Sequence, residues 1–105
     1  DNMSFMFFGA SLFNQPLNGW NVSKVDNMSS MFNGASLFNQ SLNGWDVSKV
    51  ENMSGMFFGA TNFNQDLSEW CVALIPSTPL NFAKDSGFKD DIDIHPKWGV
   101  PCVAE

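Results

Sequence analysis

The sequence contains no arginine and no tyrosine, and it has only two cysteines and one histidine in 105 residues. The five lysines form no basic patch against a net charge of −6, which argues against binding to nucleic acid or to an anionic membrane surface. No apolar run approaches the roughly 20 residues of a transmembrane helix, so we expect no direct membrane insertion. A single histidine without a Cys-x-x-Cys pair argues against a metal site.

The chain also offers little catalytic machinery. His95 has no obvious nucleophile partner, and no glycine-rich phosphate-binding loop occurs. Asp90, Asp91 and Asp93 lie close to His95 but lack the spacing and the glycine of a calcium loop, so a solvated acidic surface is the simpler interpretation. We therefore expect no catalytic, cofactor-binding or metal-binding residues and no enzymatic activity.

The chain contains three copies of one 25-residue repeat, over residues 1–25, 26–50 and 51–75. The first two copies differ at four positions, which are Phe5/Ser30, Phe8/Asn33, Pro16/Ser41 and Asn21/Asp46. A period of this length is typical of solenoids, in which each unit buries its apolar face only against its neighbours. The sequence predicts a repeat solenoid over residues 1–75 and a proline-rich C-terminal cap over residues 76–105.

Most of the recurring positions are apolar and predict the core. Their columns are Met3/Met28/Met53, Met6/Met31/Met56, Phe7/Phe32/Phe57, Ala10/Ala35/Ala60, Phe13/Phe38/Phe63, Leu17/Leu42/Leu67, Trp20/Trp45/Trp70, Val22/Val47/Val72 and Val25/Val50/Ile75. We expect each column to stack as an internal ladder. Within a unit we predict a main strand over residues 13–20, a second extended piece from Val22 to Val25, and a short helical turn over residues 27–32.

Two polar columns are as regular as the apolar ones. They are Asn14/Asn39/Asn64 and Gln15/Gln40/Gln65. Such amide columns typically satisfy backbone groups at the bends of a repeat protein, since a buried unpaired amide costs about 1–3 kcal/mol. The alternative is a polar binding stripe along one face.

The frame V-x-N-M-x-x-M-F-x-G-A-x-x-F-N-Q-x-L-x-x-W-x-V closely resembles the BspA-like leucine-rich-repeat surface proteins. More narrowly, it is similar to the bacterial surface-protein repeat common in mycoplasma lipoproteins. The resemblance covers residues 1–75, and residues 70–72 and 96–102 look like that family's closing segment. It implies an extracellular, cell-surface, leucine-rich-repeat-like solenoid associated with adhesion, and it supplies no catalytic residues. For this fold we expect a right-handed coil with short strands and short 3-10 or α turns.

The two cysteines, Cys71 and Cys102, lie at the two ends of the predicted cap. This placement suggests a disulfide, which would indicate an oxidising compartment. By the loop-entropy model, a loop of roughly thirty residues contributes about 3–4 kcal/mol. Two free buried thiols or half of a metal site remain as alternatives.

The positions that differ between copies are the ones that the core does not dictate, and they are candidates for binding a partner. The candidates are Phe8, Asn33, Phe58, Pro16, Ser41 and Asp66. If Phe8 and Phe58 are exposed, they are natural anchors for a protein or a glycan. The alternative is that both rings pack on neighbouring side chains.

The sequence therefore favours a non-enzymatic adhesion or recognition module at a microbial cell surface, with a structural stalk as the alternative. An ice-binding surface is disfavoured, because no outward threonine ladder is present. The chain opens in the middle of a repeat, so we expect a fragment of a longer protein. We also expect self-association through the first repeat, whose ladder ends Met3, Met6 and Phe7 would be exposed.

Overall fold

The computed structural model describes residues 1–101, and its regular secondary structure is sparse. In this described part, the regular elements are a 3-10 helix, Ile92–Ile94, and two isolated parallel bridges, Asn2 with Asn27 and Asn27 with Asn52. Each repeat also forms a run of turns, over residues 4–9, 29–34 and 54–59. Repeated turns therefore organise the molecule.

The turns of successive repeats are joined by an alternating pattern of hydrogen bonds. The N–H groups of Ser30, Phe32 and Gly34 donate to backbone carbonyls of the third repeat at 2.8–2.9 Å. Between them, the N–H groups of Met31 and Asn33 close turns within their own repeat, at 3.3 and 3.2 Å. Ser30 and Gly34 have positive φ angles of 54° and 77°, and such left-handed residues prevent a continuous helix.

The structure differs from the local elements predicted within each repeat. Within residues 27–32, where a helical turn was expected, Asn27 pairs in parallel bridges and residues 29–32 form turns, because left-handed Ser30 interrupts the helical run. Over residues 13–20 the described chain has no strand, since the backbone N–H of Asn39 donates to the side chain of Asn14 and not to a carbonyl. The right-handed, leucine-rich-repeat-like solenoid as a whole stays a prediction.

Aromatic rings form the centre of the core. Phe32 lies between Phe7 and Phe57, with ring centroids 5.4 and 5.5 Å apart and planes within 6° of parallel. Phe38 stacks beside it at 4.3 Å. Phe32, Phe38 and Phe57 are fully buried, whereas Phe7 is half-buried. Burial confirms the predicted core columns throughout the second and third repeats, whereas Met6 and Trp20 of the first repeat are exposed.

The turn pattern continues beyond the third repeat, where the sequence period is lost. Gly55, Phe57 and Gly59 donate backbone hydrogen bonds to the carbonyls of residues 80, 82 and 84 at 2.8–2.9 Å. Asn81 and Asp85 repeat the positive φ angles of Gly55 and Gly59, with values of 56° and 60°. Residues 80–86 thus form a fourth turn series, offset by 26 residues and not 25.

The ring stack changes its geometry at this fourth turn series. Phe82 and Phe88 meet Phe57 edge-on, at interplanar angles of 86° and 88°. Trp98 in turn meets Phe82 edge-on, with centroids 4.8 Å apart. Edge-to-face contacts are as favourable as offset stacking, but they leave no parallel ring for a further repeat to stack on.

Candidate binding face

Two of the sequence columns that vary between repeats lie together on one surface, which we call the variable face. It consists of Phe5, Phe8, Ser30, Asn33 and Phe58. The hydrogen bond from the Gly9 N–H to the Asn33 carbonyl (2.7 Å) and that from the Gly34 N–H to the Phe58 carbonyl (2.8 Å) hold the three repeats in register here. Residues one repeat apart therefore lie next to one another along this face.

The first repeat contributes an exposed aromatic pair to the variable face. Phe5 and Phe8 expose 57% and 55% of their surface, and their ring centroids lie 5.5 Å apart at a tilt of 52°. Phe5 has a left-handed φ of 61°, which is uncommon for an aromatic residue. The pair presents aromatic surface to solvent, the kind of surface that anchors a partner.

The other end of the variable face is less exposed. Phe58 and Asn33 are both half-buried and line an open cavity of about 240 Å³. Leu80, which is 77% exposed, lines the same cavity from the fourth turn series. Of the two aromatic candidates, Phe8 is therefore exposed, whereas Phe58 forms part of the wall of this cavity.

Pro16, Ser41 and Asp66 form a separate column, and none of them lines the cavity beside Phe58. The Ser41 hydroxyl accepts the N–H of Asn43 at 3.4 Å, and the Asp66 carboxylate accepts that of Ser68 at 2.9 Å. Two of these three candidates thus already accept a hydrogen bond from the turn that follows them.

The hydrogen bonds at Asp66 also affect its acidity. The hydroxyl of Ser68 and then its backbone N–H hold the pKa of the Asp66 carboxyl below its ordinary value. Asp66 is exposed, so a charged partner could still reach its second oxygen.

The asparagine and glutamine columns form the predicted ladder. The side-chain oxygen of Asn14 accepts the backbone N–H of Asn39 at 2.9 Å and the amide of Gln40 at 3.0 Å. Asn39 repeats both bonds toward Asn64 and Gln65, at 3.0 and 2.8 Å. These side chains replace the backbone ladder that a strand would have supplied.

His95 is buried, whereas the acidic residues near it in the sequence are exposed. The imidazole is buried, with Nε2 2.7 Å from the Phe88 carbonyl oxygen and its ring 4.7 Å from that of Phe88. Asp90, Asp91 and Asp93 are exposed. Residues 1–101 contain no group of three acidic, histidine or cysteine side chains that could hold a metal ion.

Cys102 lies outside the described residues, so the predicted bond between Cys71 and Cys102 stays a prediction. Cys71 is half-buried and lines a cavity together with Val100 and Pro101.

Sequence reasoning missed the part of the candidate binding face that belongs to the fourth turn series. Leu80 and Asn81 line the cavity beside Phe58, yet they follow the loss of the 25-residue period. The sequence contained only a weak signal of this fourth turn series. Asparagine and aspartate tolerate a left-handed backbone, and Asn81 and Asp85 are separated by the same number of residues as Gly55 and Gly59.

No curated protein and no solved structure significantly matches the chain. No helix within residues 1–101 has the length and hydropathy to cross a membrane. A family model, in contrast, covers nearly the whole sequence. The chain belongs to the family described as Mycoplasma protein of unknown function, DUF285, a surface-associated repeat family related to the BspA-like repeats, whose model matches residues 1–98.

Proposed function

We propose that this chain is a non-enzymatic adhesion or recognition module of a cell-surface protein, built as a leucine-rich-repeat-like solenoid. The observation that supports it best is the exposed aromatic pair of Phe5 and Phe8. An exposed aromatic side chain raises the risk of aggregation, and the second repeat has Ser30 and Asn33 at the same two positions. The repeat therefore does not require aromatic residues there, which favours a use in binding.

The partner that fits this face is a protein or a glycan. Aromatic rings pack against apolar side chains and against the apolar faces of sugars, while the amide of Asn33 can hydrogen-bond a polar group. Contacts at Phe8, at Asn33 and in the cavity beside Phe58 would each be weak. Several such contacts on a repeated surface add up through multivalency.

The test is a binding screen of the chain against extracellular-matrix proteins, cell-surface proteins and glycan arrays. It is run with the double variant Phe8→Ala/Phe58→Ala and with a control, Leu37→Ala. Leu37 is an exposed leucine of the second repeat that does not line the cavity beside Phe58. We expect saturable binding that the double variant loses and the control keeps, with near-ultraviolet circular dichroism unchanged in both.

The second candidate is a structural stalk that separates another domain from the cell. The continuous parallel stack of Phe7, Phe32 and Phe57 favours it, because close-packed rings across three repeats resist bending. A stalk would bind nothing in the screen and would tolerate the double variant. A well-folded chain without any ligand would therefore favour the stalk.

We also propose that the module is extracellular and that a disulfide between Cys71 and Cys102 fastens its C-terminal segment. The position of Cys71 supports the bond, because it shares a cavity with Pro101, which directly precedes Cys102. The intact mass before and after reduction, with alkylation of free thiols, tests it. Alkylation of both cysteines without prior reduction would refute the bond.

A further inference from the structure

The C-terminal segment contains an open cavity of about 340 Å³, at the level where the column of phenylalanine rings is interrupted. The N–H of Phe32 donates to the Met56 carbonyl, and that of Phe57 donates in the same way to the Phe82 carbonyl. By this register, Ala83 takes the position that Phe57 has in the third repeat. A methyl group therefore stands where each repeat has a ring, and Ala83 lines the cavity.

One part of the cavity lining is apolar and is held in place by the core. Trp98 lines the cavity and packs edge-on against the fully buried ring of Phe82, with centroids 4.8 Å apart. Trp98 itself is only half-buried, and Ile92, which also lines the cavity, is 69% exposed. The cavity thus offers apolar surface that the described residues do not cover.

The charged part of the lining is entirely positive. Lys84 and Lys89 line the cavity, and none of the described residues around it is acidic, although the chain as a whole carries a net charge of −6. Lys84 makes no ion pair with a described residue, and Lys89 lies 4.0 Å from the exposed carboxylate of Asp90. A pair of this kind contributes little in water, so both ammonium groups are available to an anionic ligand.

His95 adds a polar group to the same cavity. Its side chain lines the cavity and is 7% exposed, with Nε2 2.7 Å from the Phe88 carbonyl oxygen. A carbonyl oxygen can only accept a hydrogen bond, so Nε2 carries the proton and Nδ1 of the neutral ring is an acceptor. No described residue donates to Nδ1. The cavity therefore combines apolar surface, two cations and one unused acceptor.

We propose that this cavity binds an acidic segment of a partner protein, in which an apolar side chain lies beside aspartate or glutamate. The apolar side chain packs on Trp98 and Ile92, and the carboxylates pair with Lys84 and Lys89. A backbone N–H of the segment donates to His95. A polypeptide fits better than a glycan, because a sugar presents many hydroxyl groups, whereas more than half of the residues in the lining are apolar.

This cavity is a second site, separate from the one that the adhesion proposal uses. Asn81 lines both this cavity and the cavity beside Phe58, so the two are neighbours. The groups that would hold the acidic segment, however, do not belong to the variable face. The inference therefore stands whether or not the variable face binds a partner.

The test begins with a phage-displayed library of random dodecapeptides, selected against the full 105-residue chain. We expect enrichment of peptides in which an aliphatic or aromatic side chain is flanked by aspartate or glutamate. The most enriched peptide is then synthesised, and its affinity for the chain and for each variant is measured by isothermal titration calorimetry. Near-ultraviolet circular dichroism verifies that each variant is folded.

The lysines are tested with a charge-matched pair of double variants. Lys84→Gln/Lys89→Gln removes both cations of the cavity, whereas Lys24→Gln/Lys49→Gln removes two exposed lysines that do not line it. We expect the first variant to weaken peptide binding about tenfold, because two ion pairs are lost. The second variant should bind like the wild-type chain, since it makes the same change in net charge away from the cavity.

The apolar contact is tested with a second matched pair. Ile92→Ser should weaken binding of the same peptide, whereas Leu74→Ser should not, because Leu74 is 52% exposed and lines neither this cavity nor the one beside Phe58. The variant Phe8→Ala/Phe58→Ala should keep the peptide, which separates this site from the variable face. Loss of the peptide in that variant would place it on the variable face and overturn the proposal.

Four other results would also overturn the proposal. They are a selection that enriches no peptide, enrichment of peptides without acidic residues, unchanged affinity in Lys84→Gln/Lys89→Gln, and an equal loss of affinity in Lys24→Gln/Lys49→Gln. Heparin serves as the probe for a glycan. Binding of heparin that requires Lys84 and Lys89, without enrichment of any peptide, would assign the cavity to an anionic glycan instead.

Discussion

Asn39 and Asn64 occupy the same position in successive repeats and are both exposed, yet the structure predicts that only Asn39 stabilises the fold. The side-chain oxygen of Asn39 accepts two hydrogen bonds from the next repeat, from the backbone N–H of Asn64 at 3.0 Å and from Gln65 at 2.8 Å. The side chain of Asn64 makes no hydrogen bond to a described residue. Neither residue has a positive φ, so a special backbone conformation is not the reason for either asparagine.

Replacing Asn39 by alanine removes both acceptor contacts at once. A hydrogen bond contributes about 0.5–1.5 kcal/mol net, and the freed donors are near the surface, where water replaces part of the loss. We therefore expect Asn39→Ala to lower the free energy of unfolding by about 1–2 kcal/mol. For a domain of this size, that corresponds to a decrease in Tm of about 5–10 °C. Asn64→Ala should change the free energy of unfolding by less than about 0.5 kcal/mol.

Urea denaturation followed by tryptophan fluorescence measures the difference between the two variants. Asn39→Asp provides a third comparison, since a carboxylate keeps an acceptor oxygen and should retain most of the wild-type stability at neutral pH. Equal destabilisation by Asn39→Ala and Asn64→Ala would refute the ladder as a source of stability. Destabilisation by Asn39→Asp equal to that by Asn39→Ala would show that the acceptor oxygen is not what matters.

Three further predictions use the same internal comparisons. The indole of Trp45 donates to a buried backbone carbonyl at 2.8 Å, so Trp45→Phe should lower the free energy of unfolding by about 1–3 kcal/mol in a urea melt. Trp20 is 43% exposed and makes no such bond among the described residues, so Trp20→Phe should lower the free energy of unfolding clearly less. The hydroxyl and then the backbone N–H of Ser48 lower the pKa of the Asp46 carboxyl. The ionised carboxylate therefore contributes to folding stability above the ordinary pKa of about 4, and this contribution is lost as the pH falls through the pKa of the folded state. Asp46→Asn should therefore change the free energy of unfolding at pH 7 by less than about 0.5 kcal/mol. In melts at a series of pH values, the variant should lose less stability below pH 4 than the wild-type chain does, and an equal loss in both would contradict this prediction. Ser30→Gly should stabilise by about 0.5 kcal/mol in thermal melts, since it relieves a left-handed φ of 54°, and a lower Tm would count against strain at this position.

The sequence was sufficient for the core and for the amide ladder. A strict 25-residue period places identical side chains at identical positions, and Met31 and Phe32 are accordingly as fully buried as Met56 and Phe57 one repeat further on. The ladder followed from the same regularity, because a polar side chain kept at one position of every unit needs a repeated partner. These inferences depend only on which residues recur.

The local backbone could not be read from the sequence in the same way. The spacing of Met28, Met31 and Phe32 suits a helical turn, but Ser30 adopts a left-handed conformation that its residue type does not favour. That conformation is maintained by hydrogen bonds to the third repeat, which are tertiary contacts. In the same way, residues 13–20 have the composition of a strand, and the asparagine side chains take the place of the ladder.

The candidate binding residues show the same division. Variation between copies identified Phe8, Asn33 and Phe58, and the stacking of the repeats placed them on one face. Only the structure showed that Phe8 is exposed, that Phe58 forms a wall beside Leu80, and that Ser41 and Asp66 already serve their own turns.

By itself, then, the sequence determined the period, the residues that fill the core and the absence of a basic or metal-binding pattern, because these depend on residue type and spacing. The tertiary structure decided the alternating turns and the fourth turn series. Each of these features depends on which backbone N–H group donates to which carbonyl across repeats. The residue types in the sequence do not specify that pairing.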